Sequence, residues 1–327
     1  MNAPLVSVIV LNYNGASFLP DCLGSLLDQD WSPLEVLVVD NASTDISEQV
    51  TADFPVRFIR LPTNDGLGPG YNEGAREAKG DLLFFINNDM RFDRACVGEL
   101  ARVFLRASDI LATDPMQYSW KGDHVIHGVQ KIRRDWCHVG FAIPFVRSHC
   151  LGMSDRSVEV PWGCAGAMMF DRAKFEAMGG FDSTFFLDYE DVDICWRGWL
   201  RSWRTVFVPT AEVYHHAGAA RTYAEKVDPK FRERYLLSQV HNAQRFVLKT
   251  MNAGTITSMF LITAGKICAH FLVGRPHLAT LIAKATWTNL RNRSEIRAAR
   301  RAVLDGANVN SHVLLRRFLL DGKRENR

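Results

Sequence analysis

The sequence predicts an α/β fold, a mostly parallel sheet followed by a helical C-terminal extension. Three observations carry that expectation. Apolar runs of strand length recur at residues 5–11, 34–39, 56–59 and 82–86. Stretches with helical spacing alternate with them, which implies parallel strands joined by right-handed crossovers. Beyond about residue 224 the texture is helical throughout. The chain is therefore expected to divide into a first domain over 1–224 and an extension over 225–327.

The elements justify themselves in order. Residues 5–11 are β-branched and apolar, as a buried strand requires, and Asn12-Tyr13-Asn14-Gly15 breaks the run. Phe18, Leu19, Cys22, Leu23, Leu26 and Leu27 then recur on one helical face. The strand over 34–39 ends in the polar run Asp40-Asn41-Ala42-Ser43-Thr44-Asp45, with a helix to about Phe54 and a short strand at 56–59. Residues 62–70, rich in Gly, Asn and Pro, read as a loop, and 71–79 as a helix stopped by Gly80. Leu82–Ile86 is a strand covered on both faces that delivers Asn87, Asn88 and Asp89 to its carboxyl end, where open α/β sheets bind ligands. Asp93 is expected to cap a helix reaching about Arg106. Residues 115–158 show no period. Asp171 is expected to cap a short helix that stops at Gly179-Gly180. Val206–Val208 reads as a further strand, with His215-His216 after it.

Composition narrows the function classes. The chain has 327 residues, 47% hydrophobic and 23% charged, enough to bury a large core. A net charge of +3 argues against a dedicated nucleic-acid binder. The charge is uneven: residues 291–327 hold ten Lys and Arg against four Asp and Glu. Seven cysteines without a C-x-x-C pair indicate neither a disulfide framework nor a zinc ribbon, so the chain reads as cytosolic. No basic region precedes the first strand, so no secretory signal is expected. Residues 255–272 are apolar, but Lys266 and His270 interrupt them and Arg275-Pro276 closes them. A helix lying on a bilayer or packing on the first domain fits better than a spanning one.

Two acidic places stand about a hundred residues apart: Asp89, and the cluster Asp188, Glu190, Asp191 and Asp193. Asp89 beside two amides suits a divalent cation that itself holds phosphates. The cluster is flanked by Phe181, Phe185, Phe186, Leu187 and Tyr189. Desolvation among such residues raises a carboxylate pKa and makes it a usable base. His215 or His216 could complete a cation site begun by Asp89.

The order Val-Ser-Val-Ile-Val-Leu-Asn-Tyr-Asn-Gly, Val-Val-Asp-Asn-Ala-Ser-Thr-Asp, Asn-Asp-Gly-Leu-Gly-x-Gly-Tyr-Asn, Phe-Ile-Asn-Asn-Asp, Gly-Gly-Phe-Asp-x-x-Phe-Phe and Glu-Asp-Val-Asp-Ile-Cys-Trp-Arg resembles family 2 inverting glycosyltransferases over roughly residues 5–220, with the rhamnosyltransferase-like branch the nearest. The resemblance implies a GT-A fold, a nucleotide-sugar donor, and a divalent cation, Mg²⁺ or Mn²⁺. It places Tyr13 and Asp40 against the nucleobase, Asn64, Gly66, Gly70 and Asn72 around the donor, and Asn88 and Asp89 at the D-x-D position, with Asp89 on the metal. His215 matches the late metal histidine better than His216. Asp191 takes the place of the general base, with Glu190 beside it, and Trp162 and Gly166 face the acceptor. An Asn stands where the family has the earlier acid of the metal motif. The processive Q-x-x-R-W signature is absent, Cys195-Trp196-Arg197-Gly198-Trp199 being the nearest approach, which implies transfer of a single sugar. The branch implies a dTDP-linked deoxysugar such as rhamnose. The helical tail with its basic end, able to dock a cytoplasmic protein peripherally on the inner membrane face, makes a lipid-linked or cell-surface glycan the expected acceptor. Two other functions on similar folds are a sugar-phosphate nucleotidyltransferase and a non-catalytic nucleotide-sugar-binding module. The lack of Lys or Arg in residues 12–17 weighs against the first, and the acids at 89, 190 and 191 against the second.

Overall fold

The structure, a computed structural model, describes residues 3–134, 146–150, 152–218 and 230–319. One mixed sheet organises it. Its first half is built as the alternation predicts. Strands β1 (Val6–Asn12), β2 (Leu34–Asp40), β3 (Arg57–Arg60) and β4 (Leu82–Asn87) pair in parallel in the order β3-β2-β1-β4. Helices α1 (Leu19–Leu27), α2 (Ser47–Thr51) and α3 (Leu67–Glu77) form the crossovers.

The second half is mixed. Strand β5 (Met90–Phe92) comes directly after Asp89, then α4 (Cys96–Phe104) and β6 (Ile110–Ser119). Strands β7 (Val125–His127), β8 (Gln130–Arg134), β9 (Val146–Cys150) and β10 (Val158–Glu159) occupy the stretch whose sequence has no period. Strand β11 (Ala167–Asp171) enters antiparallel between β4 and β6, and β12 (Arg204–His215) runs parallel to β6. Strand β5 also pairs with β12, which sets His215 opposite Met90 and so beside Asp89.

Two local expectations are corrected. Helix α3 begins at Leu67, inside the stretch expected to be loop. Gly66 sits at φ +110 as the preceding residue, and Pro69 falls in the first turn, where a missing N–H is harmless. Asp93 does not cap α4: Ala95 takes that place without a side-chain cap, and Asp93 closes the preceding turn by accepting the Ala95 N–H at 2.9 Å. Asp171, by contrast, caps α5 (Arg172–Ala177) through the Lys174 N–H, and Gly179 and Gly180 come after it with positive φ.

The alternation of each strand distributes its side chains over two faces. Val8, Val10, Val38, Phe84 and Ile86 pack on α1 and α4. Ile9, Val39, Leu83 and Phe85 face Tyr71 of α3, Phe175 of α5 and Trp196 of α6 (Glu190–Leu200). That second core continues into the C-terminal helices α7 (Phe231–Thr250), α8 (Ala253–Leu272), α9 (Pro276–Arg291), α10 (Arg293–Asp305) and α11 (Ser311–Phe318), through Phe246, Val247, Val303 and Phe318. The division expected at residue 224 lies outside the described residues.

A buried ionic network fastens α7 to the first domain. Lys249 of α7 lies 2.6 Å from Asp182 and 2.7 Å from Asp193, and Arg245 pairs with Asp182 at 2.9 Å. Arg197 holds Asp193 at 2.8 Å. The two cations hold the Asp182 carboxyl far below the usual carboxylate range, against a burial effect that alone would raise it.

Helix α8 differs from the others. It is long and apolar enough to cross a membrane by length and composition, and only 11% of its most apolar window is buried. Leu261, Phe271, Leu272 and, on α9, Trp287 are exposed.

Candidate active site

At the carboxyl ends of β1, β2 and β4 lies a cavity of about 340 Å³. Tyr13, Asn64, Gly66, Asn88, Asp89 and His215 line it, as expected of a ligand site on this sheet edge. Asp89 is 2% exposed, and its Oδ1 makes no hydrogen bond among the described residues. The Nε2 atom of His215 stands 3.3 Å from it. The adjacent His216 is turned away, its ring stacked on Trp120 with centroids 3.9 Å apart, while its N–H donates to the Asp89 carbonyl.

Other expected donor residues sit behind this lining. Asp40 is 1% exposed and accepts from Asn12 Nδ2 at 2.8 Å and from the Ser43 N–H at 2.9 Å. Asn12 in turn accepts from Asn88 Nδ2 at 2.6 Å, so Asp40 fixes the position of Asn88 through one intermediary. Asn41, next along, does line the cavity, and its Oδ1 is buried without a partner among the described residues. The same polar run offered both residues, and only the pleat decides which faces the ligand. Gly70 faces Leu11, where a side chain would collide. Asn72 brackets Phe181, donating to its carbonyl at 2.9 Å and accepting its N–H at 2.9 Å. Gly66 must be glycine on two counts: φ is +110, and a Cβ would overlap the backbone of Phe186.

A second cavity, of about 530 Å³, adjoins the first, and Asp188 lines both. Glu190, Asp191 and Trp162 line it, whereas Gly166 does not; Gly166 packs against Asn87 and accepts its N–H at 2.9 Å. Asp188 and Tyr189 both have positive φ, at 68° and 72°, which is costly for residues with side chains. Helix α7 holds this strained corner. Asn242 Nδ2 donates to the carbonyls of Leu187 and Asp188 at 3.0 and 2.8 Å, and Gln239 donates to the Asp188 carboxylate at 2.9 Å.

The corner aims the first turn of α6 into the cavity. Burial pushes the Asp191 carboxyl up to about 6, against the opposing N–H groups of Val192 and Ala165, at 2.7 and 3.3 Å. Burial and the neighbouring Asp191 and Asp188 raise the Glu190 carboxyl well above the usual carboxylate range. Asp193, in the same acidic run, points to Arg197 and Lys249 and belongs to the packing. Sequence reasoning missed His127, which lines this cavity with Nε2 2.8 Å from the buried Asp114. Burial works against a charged ring there, but the Asp114 carboxylate outweighs it and His127 is raised. Its only signal in the sequence was a histidine in a stretch without period.

Comparison with known proteins decides the family. The Glycosyl transferase family 2 model matches residues 7–178. The chain belongs to glycosyl transferase family 2. An N-acetylglucosaminyl-diphospho-decaprenol L-rhamnosyltransferase of Mycobacterium tuberculosis is 27% identical over 241 residues, covering 65% of this chain and 76% of that protein. An uncharacterized glycosyltransferase of Haemophilus influenzae is 40% identical over 86 residues. That match spans 26% of this family 2 chain and 29% of the relative's length. Among solved structures, GalNAc-T7 with UDP, GalNAc and Mn²⁺ superposes with a TM-score of 0.58 at 17% identity, covering 77% of this chain and 49% of that one. The mannosyltransferase PcManGT of Pyrobaculum calidifontis, in complex with GDP-Man and Mn²⁺, gives 0.52 at 18% identity over 93% and 86%. The fold is GT-A, with C-terminal helices added to it.

Proposed function

We propose that this protein is an inverting, metal-dependent glycosyltransferase that moves one sugar from a nucleoside-diphosphate donor to a hydroxyl of a lipid-linked or cell-surface glycan. The observation that carries this is the meeting of two cavities at Asp188, one presenting Asp89 and the other Asp191. A donor in the first would put its anomeric carbon at the junction, within reach of an acceptor in the second. Asp191 takes the proton of the attacking hydroxyl. A base must be largely ionised at working pH yet basic enough to accept, and a pKa near 6 meets both demands. The Ala165 and Val192 N–H groups hold that carboxylate in place. Burial and the adjacent Asp191 and Asp188 disfavour charge on Glu190, and Asp191 is the acting base. One base and direct displacement give inversion.

The buried Asp89 Oδ1, which accepts no hydrogen bond among the described residues, and His215 Nε2 facing it at 3.3 Å are donors a Mg²⁺ or Mn²⁺ accepts. Among the described residues no third His, Cys, Asp or Glu joins them, which fits an ion that shares its coordination with the donor diphosphate. When bound, such an ion supplies Lewis-acid neutralisation of the departing diphosphate. Tyr13, Asn41, Asn64 and Asn88 orient the nucleotide.

The relative from Mycobacterium acts, by its name, on a diphospho-lipid carrier with rhamnose. This supports a dTDP-rhamnose-type donor and a lipid-linked acceptor here. The exposed apolar face of α8 supports contact with the cytoplasmic membrane surface, reinforced by the basic C-terminal stretch. The test is a thermal-shift screen of nucleotide sugars with Mn²⁺. Stabilisation by one donor, removed by chelator and absent in Asp89→Ala, is expected; no shift with any donor overturns the reading.

A further inference from the structure

The second cavity does not end at the catalytic turn. Its far wall is Met259, Ile262, Thr263 and Lys266 of α8, with Ile282 of α9 opposite. Those α8 positions recur at three- and four-residue steps, so one helical face looks inward. The same helix turns Leu261, Phe271 and Leu272 outward. The cavity is therefore lined by Asp188, Glu190 and Asp191 and, from α8, by a face whose reverse side is exposed and apolar.

Lys266 is the exception in that apolar wall. Among the described residues it forms no ion pair, and burial lowers its pKa. A half-buried ammonium group that lines a cavity, with no ion-pair partner among the described residues, is available to an anion brought by a ligand. The cavity that Lys266 and Asp191 both line has a volume of about 530 Å³, in the range of small-ligand sites.

We propose that Lys266 binds the diphosphate of a lipid-linked acceptor, whose sugar end reaches Asp191 and whose hydrocarbon leaves along the exposed face of α8. The proposal rests on the lipid-linked acceptor reading and names the residue that reads the carrier. It assigns the C-terminal helices a recognition role: they select a phosphorylated lipid over a neutral glycoside.

Farnesyl diphosphate serves as the probe, titrated into the full chain with Mn²⁺ present, alongside farnesol and inorganic diphosphate. Wild type is expected to bind farnesyl diphosphate at least tenfold more tightly than either fragment. Lys266→Ala should weaken that binding at least tenfold, Lys266→Arg should retain it, and Asp89→Ala should leave it unchanged. Failure of wild type to bind, equal binding by Lys266→Ala, or equal affinity for inorganic diphosphate overturns the proposal. Loss in Asp89→Ala does so as well, because the probe would then occupy the donor cavity. Donor hydrolysis on the same preparation separates the two readings. Hydrolysis without farnesyl diphosphate binding removes the Lys266 site alone. Lys266-dependent binding with no donor hydrolysed leaves that site standing and removes the transfer reading.

Discussion

The two cavities are built on opposite plans. The first is founded on the ends of successive parallel strands, with Tyr13 after β1, Asn41 after β2, and Asn88 and Asp89 after β4, and is closed by Phe186–Asp188 and by Phe231 and Tyr235 of α7. The second is assembled from far-apart pieces: His127, Trp162, the first turn of α6, and α7, α8 and α9. The difference teaches how such a chain divides its labour. A sheet edge provides a fixed frame for one kind of ligand, while helices laid against it after the fact can be changed to suit another.

The contrast is open to attack by substitution. The largest effect is expected from Asp191→Asn, which should lower turnover by about 10²–10⁴-fold. Donor affinity should be unchanged, checked by assaying transfer and nucleotide binding together; weakened donor binding would show that the cavities are not separable. Lys249→Met leaves Asp182 and Asp193 buried with one fewer cation, and breaking such a pair costs about 3–5 kcal/mol. Urea unfolding measures this, and a loss under about 1 kcal/mol would mean that the Lys249 ion pairs do not fasten α7. Asp89→Ala should weaken Mn²⁺-dependent nucleotide binding by about tenfold or more, roughly 1.4 kcal/mol. Equal calorimetric affinity with and without chelator would remove the ion from the first cavity.

Protonation sharpens the comparison further. The acid limb of kcat/KM should fall about tenfold per unit below pH 6, as Asp191 gains its proton. The same shift acts on stability with the opposite sense. The folded chain holds this proton more tightly than the unfolded one, so the carboxylate is a penalty that grows as pH rises from about 4 and is complete above about 6. Asp191→Asn should therefore raise stability at pH 7 by about 1–3 kcal/mol, with the gain vanishing near pH 4. A variant less stable than wild type at pH 7 would argue that Asp191 serves the fold.

Legibility in the sequence divides along the same line. The strands of the first half and the carboxyl-end placement of Asp89 were readable because strand and helix periods are local signals. The cap by Asp171 was readable for the same reason. What could not be read depends on register. Asp40 and Asn41 are equivalent by residue type, and only the pleat turns Asn41 to the cavity. Asp191 and Asp193 are two residues apart, and the helical rotation between them sends one to the cavity and the other to Arg197 and Lys249. The Asp114–His127 pair comes from a long strand and its antiparallel neighbour in a stretch of no visible period. Strand β5 is three residues long, too short to announce itself, yet its pairing with β12 sets His215 opposite Met90 and so beside Asp89.

The hold that Asn242 and Gln239 keep on the left-handed pair at 188–189 bears on how this protein could be cut down. Removing the helices after the sheet would free that corner to relax into ordinary backbone, and the first turn of α6 would swing with it. A shortened chain would also strip Asp182 and Asp193 of Arg245 and Lys249 and the first cavity of Phe231 and Tyr235, so the smallest working unit is larger than the sheet and its crossovers.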